Sequence, residues 1–385
     1  MRLRVGLGAL CFGFAVFAQA QSDPEVVRLG FAAPLSGPQA HYGSDMQHGL
    51  ILALEQANAA QIQFDGKPVK FELVVRDDQA DPKLAKTVAQ QFVSAKLNGV
   101  LGHFNSGTSI AAAPIYHEHG LPQIAMASAL AYTRLGFDTS FRMMGNDAQQ
   151  GEALAQFMVK DLAASRVVVL HDNTAYGQGL SEQVVQATQR AHAHIVTDAM
   201  LSSSATDLSE QLAAIQQADA VFFAGTDRQA VTIKRTIAEI GKKWSFITGD
   251  MGKTELFLDL SQEDGEGAYA SLSGVPLDGL AAGRRFIQEY QQRFEQFPML
   301  YAAYAYDGAW NMITAMKQAN SAQPDVYLPY LASLKRSGVT SQSIAYDSQG
   351  NLRQSPFTIY QVRKGEWRMV KTLVSQARES SSTKD

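Results

Sequence analysis

Several groups of residues in this sequence invite a chemical reading before any element is assigned. His117-Glu118-His119 has the residue types of a metal site. Neighbouring positions of a helix point apart, however, and no third ligand is spaced to join them, so the triplet reads as a solvated helix end. Asp77-Asp78 offers paired carboxylates, but it closes an alternating strand pattern and reads as a polar strand end. Gly177-Gln178-Gly179 lacks the third glycine of a dinucleotide fingerprint. Neither a Gly-x-Ser-x-Gly elbow nor a phosphate loop occurs. No catalytic constellation, cofactor site or metal site emerges, and no enzyme is expected.

A binding site is easier to argue. In Phe104-Asn105-Ser106-Gly107-Thr108 an apolar strand ends and small hydroxyl residues open a helix. The free N–H groups and dipole of that helix end suit a carboxylate; ordinary N-capping by Ser106 or Thr108 is the alternative. Ala33 to Gly37, Ala127-Ser128-Ala129 and Gly249-Asp250 are comparable strand-to-helix loops. Asp250 is either a buried counter-charge for a cation or a turn aspartate after Gly249. A helix-end donor with an aspartate satisfies both ends of a small zwitterion, and a buried charge must be satisfied.

The elements that would position these loops alternate between short apolar runs and amphipathic helices. Strands are expected at Val27 to Pro34, Val69 to Val75, Gly99 to Phe104 and Gln123 to Ala127. Helices are expected at Ser44 to Ala59, Lys83 to Ala95 and Ser109 to His117. The rhythm restarts with Arg166 to Leu170, a helix from about Gly177 to Ala191, and strands at Ile195 to Met200, Ala220 to Ala224, Phe246 to Thr248 and Ala268 to Ser271. Helices at Asp207 to Gln217, Arg228 to Ile240, Gly283 to Phe294 and Tyr301 to Lys317 accompany them, and Phe357 to Val370 reads as a hairpin turning at Lys364-Gly365. Strand and helix in this order mean α/β lobes with doubly wound parallel sheets, two of them here. Ligands of such sheets bind beyond the carboxyl ends of the strands.

Residues 1–20 stand outside this pattern. Arg2 and Arg4, an apolar run from Val5 to Phe17 and Ala18-Gln19-Ala20 make a secretion signal with cleavage expected after Ala20. The run is too short to span a bilayer, which takes roughly 20 apolar residues. Cys11, the only cysteine, lies inside it; a mature chain would have no thiol, which excludes disulfides and thiolate chemistry. Losing two arginines takes the formal charge from −4 to −6, the wrong sign for a nucleic-acid partner. The polar tail, 376–385, is expected to be disordered.

At the loops the chain resembles the leucine/isoleucine/valine-binding family of periplasmic proteins that feed ABC transporters. The resemblance runs from Val27 to about Met369. It rests on Pro34-Leu35-Ser36-Gly37 with Tyr42-Gly43, Asp77-Asp78 with Asp81-Pro82, and Gly102-His103-Phe104-Asn105-Ser106. His171-Asp172 with Tyr176-Gly177-Gln178-Gly179-Leu180, and Ala305-Tyr306-Asp307-Gly308, complete the ordered set. It implies a type I periplasmic-binding fold whose lobes, 26–146 plus 275–350 and 147–274 plus 351–375, are joined by a three-crossing hinge. Crossings would fall near Met144 to Gln149, Ser271 to Val275 and Asp347 to Ser355.

By the same resemblance Ser106 would grip a ligand carboxylate and the Ala127 carbonyl would accept from its ammonium. Asp250 stands where the family has a glutamate. Tyr42 and Tyr176 match pocket aromatics and Phe104 an apolar wall; hinge or surface packing is the other reading of the two tyrosines. Ala129 replaces a threonine and Thr226 a tyrosine, and Ala80 and Asn105 stand where the family has a cystine. A lost hydrogen bond to a charged group costs about 1.5–3 kcal/mol, so the ligand's identity is open. The resemblance implies a periplasmic solute-binding protein that captures a branched-chain or other aliphatic amino acid and delivers it to a membrane ABC permease. The same fold holding an amide, urea, γ-amino acid or aromatic acid is one alternative, and a secreted sensor is another. A monomer without cofactor is expected.

Overall fold

The computed structural model describes residues 23–201 and 205–374. The secretion signal and the polar tail lie outside the described residues. Fifteen strands are β1 (Glu25–Ala33), β2 (Gln63–Phe64), β3 (Lys67–Asp77), β4 (Gly99–Gly102), β5 (Gln123–Ala125), β6 (Ser140–Arg142), β7 (Arg166–His171), β8 (His194–Met200), β9 (Ala220–Ala224), β10 (Ser245–Thr248), β11 (Tyr269–Ser273), β12 (Lys335–Arg336), β13 (Ile344–Ala345), β14 (Pro356–Arg363) and β15 (Glu366–Val374). The helices are α1 (Ala40–Ala59), α2 (Pro82–Ser94), α3 (Ser106–Glu118), α4 (Leu130–Arg134), α5 (Asp147–Gln156), α6 (Ala175–Arg190), α7 (Ala205–Ala213), α8 (Asp227–Glu239), α9 (Glu255–Ser261), α10 (Ala281–Phe294), α11 (Leu300–Ala319) and α12 (Pro324–Ala332).

Two large sheets take thirteen of these strands, and β12 pairs with β13 in a separate antiparallel pair. The first runs β2-β3-β1-β4-β5-β6 and the second β15-β14-β11-β10-β9-β7-β8. Pairings within these two are parallel except at β2–β3, β11–β14 and β14–β15. The interior strands β1 and β7 carry apolar residues toward both faces, as burial between two helix layers requires. Val27, Leu29 and Phe31 of β1 join the core under α1 and α11, while Ala32 faces the cluster formed with α2 and α3. In β7, Val167 and Val169 face α6, and Val168 and Leu170 face the layer of α7, α8 and α9. The fold is thus the two-lobed α/β architecture anticipated from the alternation.

The chain passes between the sheets three times, after β6, after β11 and before β14. The first passage is short, because α5 already begins at Asp147, where Asn146 and Gln149 form a capping box. Neither β6 nor α5 was anticipated: β6 is only three residues, and α5 carries too few apolar residues to show a helical stripe. The passages meet at one hydroxyl. Ser273 Oγ accepts from Gly145 N at 2.7 Å and pairs with Ser355 Oγ at 2.7 Å.

Gly145 has no room for a side chain. A Cβ there would lie 2.5 Å from the Phe357 ring and 2.6 Å from Ser355 Oγ. Gly145→Ala is expected to cost about 1–3 kcal/mol by overpacking, measured as a lower midpoint in chemical denaturation.

Candidate functional site

The loops beyond the strands' carboxyl ends face one another across the gap between the sheets. From the first lobe come Phe104, Asn105 and Ser106 after β4, and Met126 and Ser128 after β5; from the second come Tyr176 on the first turn of α6 and Asp250-Met251 after β10. They line a small, partly open cavity. Four of the expected residues, Phe104, Ser106, Tyr176 and Asp250, are among these lining groups.

Asp250 is the electrostatic centre. It is 3% exposed, and burial pushes its carboxyl up from the ordinary carboxylate range. Three donors oppose that push. Tyr301 OH donates to Oδ2 at 2.6 Å, while Tyr176 OH at 3.0 Å and Gln150 Nε2 at 3.2 Å donate to Oδ1. Tyr301 opens α11 in the first lobe; the other two belong to the second. Burial holds both phenols well above their usual range, so they remain donors.

Aromatic rings pack behind Phe104, with Tyr42 and Tyr301 outside the cavity lining. Tyr42 stacks on Phe104 with centroids 5.1 Å apart, and Tyr301 meets both edge-on, at 4.8 Å from Phe104 and 5.6 Å from Tyr42. Tyr42 also ties the lobes, donating to the Met251 carbonyl at 2.6 Å. Beside it His41 Nε2 lies 2.8 Å from Asp227 Oδ2, and Thr254 Oγ1 donates to the same oxygen at 2.8 Å.

At the helix end the two readings separate. Asn105, in extended conformation, occupies the N-cap of α3, and Ser106 is the first helical residue. The hydroxyls do not cap. Ser106 Oγ accepts from Ala129 N at 3.3 Å, and Thr108 Oγ1 donates to the Asn105 carbonyl at 2.9 Å. The helix end therefore opens into the cavity with no acidic side chain in its first turn.

The remaining expected residues sit around this cavity rather than on its lining. Ala127 and Ala129 are buried, and their carbonyls accept from Arg142 Nη1 at 2.5 Å and Nη2 at 2.9 Å. Burial lowers that guanidinium to about 10. Thr226 caps α8, where its hydroxyl donates to Gln229 Oε1 at 2.8 Å. Sequence reasoning missed Tyr301, Gln150, Met251 and Arg142. Tyr301 was legible only as the start of a helix, and Gln150 directly follows the Met144 to Gln149 segment read as a crossing.

Helix-end donors, a buried carboxylate and aromatic walls between two lobes define a binding protein with its site in the interlobe cleft. The chain belongs to the periplasmic binding protein family, whose model matches residues 26–366, and it groups with the leucine/isoleucine/valine-binding proteins. It is 28% identical over 355 residues to "Leu/Ile/Val-binding protein homolog 1" of Brucella abortus, covering 91% of this chain and 94% of that one. The Streptococcus pneumoniae branched-chain amino acid transporter substrate binding protein LivJ, in complex with isoleucine, superposes with a TM-score of 0.81 at 24% identity, covering 91% and 99% of the two chains. A Rhodopseudomonas palustris solute binding protein in complex with benzoate gives 0.81 at 17% identity, covering 92% and 98%.

Tyr301 is positioned by a second buried acid. Asp45 accepts from Met299 N at 2.9 Å, Ala302 N at 2.6 Å and Tyr290 OH at 3.1 Å, fixing the start of α11. Burial nevertheless raises its carboxyl to about 7, against about 3.9 in an unfolded chain. The folded state thus holds this proton more tightly. Its contribution to stability is full below about pH 4 and is lost as pH rises toward 7. Asp45→Asn is expected to gain stability relative to the wild type across that window, measured by denaturation midpoints at successive pH values.

Proposed function

We propose that the chain is the periplasmic solute-binding component of an ABC importer, capturing a small aliphatic or branched-chain amino acid and handing it to the membrane permease. The observation that carries this reading is Asp250: a carboxylate buried between two lobes, facing a helix N-terminus across a small cavity. Such an arrangement offers a negative partner to an ammonium and N–H donors to a carboxylate. Phe104, backed by Tyr42 and Tyr301, supplies apolar surface for a short side chain. The name of the Brucella abortus relative and the isoleucine bound by the Streptococcus pneumoniae protein agree with an amino acid. The secretion signal of residues 1–20 agrees with a periplasmic location, and the site is read as one of capture, not turnover.

Release and capture would proceed by rotation of the two lobes, 26–146 plus 275–350 against 147–274 plus 351–375. Direct bonds such as Tyr42 to Met251 and His41 to Asp227 would hold the closed form. The benzoate-bound relative keeps an aromatic acid as a second reading, favoured by the ring-lined wall. A benzoate-like anion, however, would leave Asp250 without a cationic partner, at considerable cost.

Calorimetry of the purified chain against the twenty amino acids, 4-aminobutyrate and benzoate separates these readings. Heat from an aliphatic amino acid is expected, and binding of benzoate alone would overturn the amino-acid reading. Asp250→Ala is expected to weaken an amino acid by roughly 2–5 kcal/mol, because the ammonium loses a buried counter-charge.

A further inference from the structure

The cleft contains a second acid whose hydrogen-bonding capacity is unspent. Asp147, the first residue of α5, is fully buried, and neither carboxylate oxygen has a hydrogen bond of ordinary geometry. It adjoins the cavity through Ser128: Asp147 N donates to the Ser128 carbonyl at 3.0 Å, and Ser128 is a lining residue. On its other side lies α6. A Cβ built on Gly179 would come within 2.8 Å of Asp147 Oδ2 and 3.7 Å of the Ala129 Cβ. The missing side chain at 179 therefore makes the room that the buried carboxylate fills between α6 and the Ala129 loop. Gln150, one turn along α5, also has its Oε1 buried without a partner.

A carboxylate offers about four acceptor positions. Asp250 already uses three, for Tyr301, Tyr176 and Gln150. Asp147 uses none. The nearest permanent cation, Arg142, spends its N–H groups on Asn351, Ala127, Ala129 and Thr133 instead. Buried acceptors left without donors are expensive, and a surplus of them beside a cavity fits an occupant rich in donors. Among the described residues no group of three potential ligands could hold a metal ion, which leaves an organic cation.

We propose that Asp147 is a ligand-binding residue: the ammonium of the captured solute is held between Asp147 and Asp250, with Asp147 supplying the larger share of free acceptors. The inference rests on the amino-acid reading above and assigns its positive end. Charge bookkeeping agrees with it. Burial raises the Asp147 carboxyl to about 7, Ser128 and Arg142 lower it and Asp250 raises it further, and an arriving ammonium relieves both acids at once.

The test uses the purified protein, its Asp147→Asn and Asp147→Ala variants, and two pairs of probes: L-leucine with 4-methylpentanoate, and L-alanine with propanoate. Each second member lacks only the amino group. The wild type is expected to prefer the amino acid in at least one pair. Both variants are expected to lose tenfold or more affinity for that amino acid while the acid's affinity holds or rises. Circular dichroism and thermal midpoints confirm folding. Unchanged amino-acid affinity in the variants would overturn the role of Asp147 and leave the amino-acid reading standing. An equal loss for both members of a pair would make Asp147 a structural residue instead. A wild type that binds neither amino acid, nor any other in the calorimetric panel, would remove both readings together.

Discussion

The structure depends on satisfying a carboxyl group that is almost cut off from water. Asp250 sits between two lobes, and its environment supplies donors from both: Tyr301 from the first, Tyr176 and Gln150 from the second. Removing a charge from water costs far more than any one hydrogen bond returns, so the donors must be held in place by packing. Each is. Tyr301 is set by the start of α11, which Asp45 anchors. Tyr176 is set by the first turn of α6, capped by Thr174. Gln150 is braced against Ser271 at 2.8 Å. Electrostatic need at one side chain thus reaches into both cores.

Much of the fold was legible in the sequence, for a definite reason. Strands such as Arg166–His171 and Ala220–Ala224 are buried on both faces, so their apolar runs are continuous and bounded by polar residues. The turn at Lys364-Gly365 was visible as well, and both residues adopt positive φ, the backbone a tight hairpin requires. What escaped was set by tertiary context. The strand Ser140–Arg142 is too short for a periodic signal. The helix Asp147–Gln156 buries Asp147 and Gln150 alongside Ala153 and Leu154, so its inward face shows no apolar stripe.

The site divides along the same line. Loops that open helices announced themselves through small and hydroxyl residues, and the resemblance to a binding-protein family attached roles to them. Residues that reach the cleft from other elements had no such local mark. Tyr301 is one tyrosine among several in an apolar helix, and Arg142 reads as a lone charge until its guanidinium is seen gripping the carbonyls of Ala127 and Ala129. A carbonyl already occupied by a guanidinium has less to offer a ligand.

The hydroxyl of Ser273 gathers all three strands of chain that run between the lobes, bonding to Gly145 in one and to Ser355 in another. Connections pinned at a common point cannot slide independently, so the lobe rotation proposed above would be a swing about that pivot. Gln150, held to Ser271 close by, would travel little. His41 and Asp227, which reach across from separate lobes, would part or meet with that swing.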